Sequence, residues 1–220
     1  MVIEKNQKSK VKNKKNIKIK ICGITNLKDA KAAVEEGADA LGFVFYKKSP
    51  RYIVPERASQ IIRHLPRPVI KIGVFVNAQE KNIRRIARLC RLDMLQFHGN
   101  ELPEFCARFR GYQIIKAFRI KDKINLKNIS RYKTFAWLFD TFVKSKVGGT
   151  GKRFKWELIG KIDKITKPIF LSGGLTARNV REAIKVAHPN WVDVSSSVEI
   201  KPGQKDYAKV KKFIAAAKRW

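Results

Sequence analysis

Long apolar runs are missing from this 220-residue sequence. None approaches the ~18 uninterrupted apolar residues of a membrane span, so no transmembrane helix is expected. Met1 to Lys20 holds no apolar h-region, which speaks against a secretory signal. Cysteine is scarce: Cys22, Cys90 and Cys106 are odd in number and lack metal-ligand spacing, so neither a disulfide framework nor a zinc site is expected. Such thiols fit a reducing cytoplasm. Glycines are few, and no Gly-x-Gly-x-x-Gly follows the first apolar run, which removes the usual dinucleotide fingerprint. The scarcest class is acid. Only 18 Asp and Glu stand against 49 Lys and Arg, giving a formal charge of +31. That excess is one argument for nucleic-acid binding, because lysine and arginine displace counterions from phosphates. Here the basic residues are scattered through every segment and no nucleic-acid motif accompanies them. They are expected to lie on solvated helix faces, where they still speed encounter with an anionic ligand.

A hydrophobic share of 44% can build one substantial core at this length. Residues 1 to 16 are polar and lysine-rich without apolar periodicity, so we expect a disordered extension followed by one domain over 17–220. In that domain one pattern repeats eight times: a short apolar run, then an amphipathic segment. The runs are Lys18–Cys22, Ala40–Phe45, Val69–Val76, Met94–His98, Gln113–Phe118, Phe135–Asp140, Pro168–Leu171 and Trp191–Val194. The intervening segments predict helices at Asn26–Gly37, Pro55–Leu65, Gln79–Leu89, Leu102–Phe109, Ile124–Tyr132, from about Trp156, Ala177–Ala187 and Asp206–Ala217. Eight strand-then-helix units predict a (β/α)8 barrel, with an open doubly wound sheet as the alternative.

In such a barrel the active site is built from the loops after the strand C-termini. Those ends offer Cys22, Arg51, Gln96, His98, Asp140, Asp193, Ser195 and Ser196. Two glycine-rich turns join them, Gly148-Gly149-Thr150-Gly151 and Ser172-Gly173-Gly174. Barrels commonly hold phosphate after strands seven and eight, which points to Gly173, Gly174, Ser195 and Ser196. The segment Gly148–Lys152 lacks Walker spacing and is expected to be a mobile closing loop. A lone cysteine is more often a small buried hydrophobe than a nucleophile or base. Cys22 nearly faces Asp140 across the ring, however, and the pair offers one proton acceptor and one donor to a small substrate. Cys90 and Cys106 fall on helical patterns and are read as core.

Several motifs, in order along the chain, together resemble the phosphoribosylanthranilate isomerase family. They are Lys20-Ile21-Cys22-Gly23-Ile24-Thr25, Gly42-Phe43-Val44-Phe45-Tyr46 with Ser49-Pro50-Arg51-Tyr52, and Gly73-Val74-Phe75-Val76-Asn77. They continue with Gln96-Phe97-His98-Gly99, Asp140-Thr141 with Gly148–Lys152, Ser172-Gly173-Gly174-Leu175, and Val192–Ser196 with Pro202-Gly203. The resemblance implies a cofactor-free Amadori rearrangement in tryptophan synthesis, with no metal and a small-molecule substrate, phosphoribosylanthranilate. It implies Asp140 as general acid, Cys22 as general base and Arg51 as partner of the anthranilate carboxylate, a match suited to a planar guanidinium. Gln96, His98 and Asp193 would line the site. Monomer and homodimer both stay open. Two residues depart from the family pattern. Ser197 replaces a usual glycine and is expected to stiffen or shift the phosphate turn, and Lys47 replaces a common proline, so a looser second loop is expected. A ribulose-phosphate epimerase would share the phosphate turns but gives no account of Cys22 paired with Asp140.

Overall fold

The computed structural model describes residues 16–120, 123–140, 156–160 and 166–220. The lysine-rich lead (1–15) and the expected closing loop with its glycine-rich turn (within 141–155) lie outside the described residues. The alternation at the start of the domain becomes β1 (Lys18–Cys22), in which Ile19 and Ile21 are fully buried against the helices. Each isoleucine buried this way contributes about 1.5–3 kcal/mol. Lys20 and Cys22 take the opposite face, toward the lumen. The other strands are β2 (Ala40–Val44), β3 (Ile70–Phe75), β4 (Met94–Phe97), β5 (Gln113–Arg119), β6 (Ala136–Asp140), β7 (Ile169–Ser172) and β8 (Trp191–Val194). All neighbours are parallel, and β8 pairs with β1, closing the barrel.

Two apolar layers hold it together. The larger fills the space between strands and helices and includes Ile19, Phe43, Phe75, Leu95, Phe139 and Phe213. A smaller one fills the lumen with Ala40, Ile72, Met94, Ile115, Leu138, Phe170 and Trp191. Phe170 and Trp191 stack at 4.7 Å between ring centroids. The lumen is therefore a packed plug.

The helices are α1 (Leu27–Glu35), α2 (Pro55–Arg63), α3 (Glu80–Leu89), α4 (Pro103–Cys106), α5 (Leu126–Ile129), α6 (Glu157–Gly160), α7 (Val180–Ala187) and α8 (Tyr207–Lys218). Their caps follow side-chain chemistry. The Asn26 side chain accepts from the Asp29 N–H at 2.8 Å. That of Asp206 accepts from the Lys209 N–H at 3.1 Å. Three helices are shorter than the apolar periodicity predicts. Before α7 the Asn179 side chain accepts from the Thr176 N–H, so residues 176–179 form a turn that delays the helix. Helix α4 spans one turn before the chain relaxes toward Gly111, whose φ is +92°. Helix α5 is likewise a single turn.

One element has no counterpart in the sequence reading. After β8 comes a 3-10 turn (Ser196–Val198) and then an antiparallel hairpin of β9 (Glu199–Lys201) and β10 (Gln204–Lys205). It turns at Gly203, with φ +81°.

Candidate active site

The strand registers assemble the site at the C-terminal mouth. Cys22 pairs with Gly42, and Lys20 stands level with Asp193. A Cβ on Gly42 would lie 2.7 Å from the Cys22 sulfur and 3.1 Å from Cys22 Cα. Only glycine lets β2 approach the thiol this closely. Cys22 is nine-tenths buried. Burial pushes its thiol up from the ordinary value, Lys20 and Lys205 pull it down, and Asp193 pushes it up; the net displacement is upward.

Asp140 ends β6 as a strand residue, paired in register with Ser172. Its Oδ2 lies 3.1 Å from His98 Nε2, and His98 Nδ1 lies 2.9 Å from Gln96 Nε2. With the amide in this orientation Nδ1 accepts, and Nε2 carries the ring proton toward the carboxylate. Gln96 Oε1 has no partner among the described residues.

A cleft of about 320 Å³ joins these groups. Cys22, Arg51, Gln96, His98, Asp140, Asp193, Gly173, Gly174, Ser195 and Ser196 all border it, so every sequence-derived candidate lies on one surface. A larger hollow of about 470 Å³ lies beside it over β5 and α5, sharing only His98 among those residues. Size alone would favour that hollow, but it holds neither the thiol nor the carboxylate. Gly173 (φ +89°) and Gly174 (φ +64°) both adopt left-handed backbone, and a Cβ at Gly174 would meet no protein atom. The β7 turn is thus open to the cleft at Gly174. The Ser197 hydroxyl donates to the Leu175 carbonyl and ties the β7 and β8 turns together. In the loop carrying Lys47, Ser49 N–H donates to Tyr46 O at 2.9 Å, and Arg51 N–H to Ser49 Oγ at 3.1 Å.

Three charged residues missed by sequence reasoning support this surface. The first is Glu199, which accepts from Arg51 Nε on Oε1 at 2.9 Å and from Nη2 on Oε2 at 2.6 Å. The second is Lys205, whose fully buried Nζ donates to Glu199 Oε1 at 2.9 Å and to the Cys22 carbonyl at 2.6 Å. It also reaches the Ser195 carbonyl at 3.3 Å. Burial alone would push the Glu199 carboxyl up, but these donors outweigh it and hold the group below its ordinary value. The third is Lys20, whose Nζ donates to Asp193 Oδ2 at 2.8 Å. Its signal was present, since a lysine two residues before a strand-end cysteine shares its face. The hairpin gave none, because two- and three-residue strands are too short for alternation to show.

Known proteins resemble this chain in sequence and fold. The family model described as N-(5'phosphoribosyl)anthranilate (PRA) isomerase matches residues 19–216. The chain belongs to the phosphoribosylanthranilate isomerase family. Members are enzymes of tryptophan biosynthesis, and every candidate residue lies inside the matched span. The isomerase of Geobacter sulfurreducens is 48% identical over 204 residues, 93% of this chain and all of that protein. The crystal structure of phosphoribosyl anthranilate isomerase from Thermotoga maritima superposes with a TM-score of 0.84 at 45% identity, covering 93% of this chain and all of the other. A phosphoribosyl anthranilate isomerase solved with reduced 1-(o-carboxyphenylamino)-1-deoxyribulose 5-phosphate matches at TM-score 0.82 and 43% identity over the same shares. The last of these isomerases holds a small carboxylated sugar phosphate.

Proposed function

We propose that the cleft rearranges N-(5-phosphoribosyl)anthranilate to 1-(2-carboxyphenylamino)-1-deoxyribulose 5-phosphate, with Asp140 as general acid and Cys22 as general base. The observation that carries this reading is the thiol and the carboxyl bordering one cleft between a phosphate-type wall and an arginine. Gly173, Gly174, Ser195 and Ser196 hold the phosphate through backbone N–H groups and the Ser196 hydroxyl, the Ser195 hydroxyl donating to the Cys22 carbonyl at 3.0 Å. At the other end Arg51 takes the anthranilate carboxylate. Glu199 occupies Nε and one side of Nη2, which fixes the guanidinium and leaves Nη1 as a donor for the ligand.

Asp140, protonated on the oxygen that does not accept from His98, gives that proton to the ribose ring oxygen, the C1′–O bond breaks, and the anthranilate nitrogen supplies the electrons of a Schiff base. The Cys22 thiolate then removes the C2′ proton. The resulting enolamine gains a proton at C1′ and loses one from the C2′ hydroxyl, which leaves the ketose. Atoms and charge balance without oxidant, metal or nucleotide. His98 and Gln96 orient the Asp140 carboxyl through the bonded chain described above.

The test is turnover of phosphoribosylanthranilate, followed as loss of its fluorescence in Cys22→Ser and Asp140→Asn. Each substitution removes one proton-transfer step and should cost about 10²- to 10⁴-fold in kcat. Undiminished kcat in both variants would sink the assignment of acid and base.

A further inference from the structure

The Lys20 side chain has no exposure at all, and the proposed reaction does not use it. Its ammonium has three N–H donors. Asp193 Oδ2 takes one of them at 2.8 Å. The register of β1 against β8 places that carboxylate level with it, and the register of β1 against β2 places Gly42 beside Cys22. Gly42 is the space that Cys22 and Lys20 share: a Cβ there would come within 3.1 Å of Lys20 Cε as well as within 2.7 Å of the Cys22 sulfur. Lys20 and Cys22 also point the same way from one strand, two residues apart. A buried cation paired to a single carboxylate has lost its water, and its other acidic neighbour is the Cys22 thiol, on which its charge therefore acts strongly.

We propose that Lys20 is a positioning residue for Cys22: anchored on Asp193, its buried ammonium is the counter-ion that offsets burial and receives the Cys22 thiolate when the sulfur gives up its proton at the barrel mouth. The other charged groups around the sulfur are consistent with this division of labour. Asp193 on β8 opposes the thiolate, and Lys205 on β10 favours it while spending its hydrogen bonds on carbonyls and Glu199. Val44 on β2 packs against Cys22 and brings no charge, the Arg51 stem lies over Gly23, and Asp140 with His98 stands on the far wall. Lys20 itself stays protonated: burial would lower it, but its two acidic neighbours outweigh that cost.

The consequence for catalysis rests on Cys22 being the base; the counter-ion role does not, and it is measured separately. Iodoacetamide labelling of Cys22, followed by peptide mass spectrometry across pH, reports the thiolate directly. Cys90 and Cys106 are buried, with thiols pushed up to about 11, so they stay silent below that range. In Lys20→Met the pH of half-maximal labelling should rise by about one to three units. In Asp193→Asn it should fall, because the thiolate then has the ammonium to itself. A purely structural ion pair predicts movement in the same direction for both, or none, and either result overturns the proposal. Should Lys20→Met fail to fold, Asp193→Asn decides alone: unchanged or raised labelling pH refutes it. If Cys22→Ser keeps full turnover while the two labelling shifts appear with opposite sign, the base assignment fails and the counter-ion stands.

Discussion

The position that most constrains the thiol is a glycine. Gly42 lies in ordinary strand, so its requirement comes from space and not from φ. A methyl at this position meets Cys22 Cα at 3.1 Å and the sulfur at 2.7 Å, and a backbone atom cannot swing aside as a side-chain tip does. Gly42→Ala should therefore displace the thiol and cost about 1–3 kcal/mol of stability through overpacking. A base moved by about 1 Å loses on the order of 10²-fold in rate. Thermal melts together with kcat test both parts, and wild-type kcat in a folded Gly42→Ala would show that the thiol's position is not critical. The sequence named Gly42 only as part of a motif. Cys22 and Asp140 were legible because strand ends in a barrel are where chemistry gathers, whereas the crowding around Gly42 depends on the β1–β2 register. No local pattern encodes that register.

At the scale of elements, the strands were the most legible parts, since a near-continuous apolar run has one stable use in a parallel sheet. Single-turn helices α4 and α5 were read too long, because periodicity continues past the point where the backbone stops being helical. The β9–β10 hairpin escaped notice, yet it links Arg51 to the proposed phosphate wall. Its Glu199 grips Arg51, and its Lys205 grips the Cys22 and Ser195 carbonyls. Removing Lys205 leaves Glu199 to Arg51 alone and strips the buried Cys22 and Ser195 carbonyls of a donor, so Lys205→Met should cost about 1–3 kcal/mol and raise KM while lowering kcat. Glu199 also gives the fold a pH signature. Its folded carboxyl titrates below the ordinary 4.5. Its contribution is therefore full above that ordinary value and is lost as pH falls through the folded one. Thermal melts across the range from neutral pH down to the acid limb should show this loss in the wild type and a flatter fall in Glu199→Gln. Parallel curves for the two proteins would mean that the Arg51–Glu199–Lys205 chain adds nothing to acid stability.

At the scale of the whole molecule, the barrel explains why so much of the site could be read in advance: eight repeats send eight strand ends to one mouth. What the repeat does not supply is the polar layer beneath the mouth. Lys20 and Asp193 meet there because β8 closes on β1, a contact between residues 173 positions apart. The net charge of +31 acts at this scale too. The proposed substrate carries a phosphate and a carboxylate, and a strongly positive protein draws such an anion from solution before any contact forms. Raising ionic strength about tenfold from a low-salt buffer, to roughly 0.5 M, shortens the Debye length to about 4 Å and screens that field. Buried pairs such as Lys20–Asp193 are screened much less. The expected result is a fall of up to about tenfold in kcat/KM with kcat nearly constant, since the field speeds encounter and leaves the proton transfers alone. A kcat that falls as steeply as kcat/KM would instead place the salt effect inside the site, on the ion pairs themselves. A flat kcat/KM would mean that the surplus lysines do not steer the substrate at all.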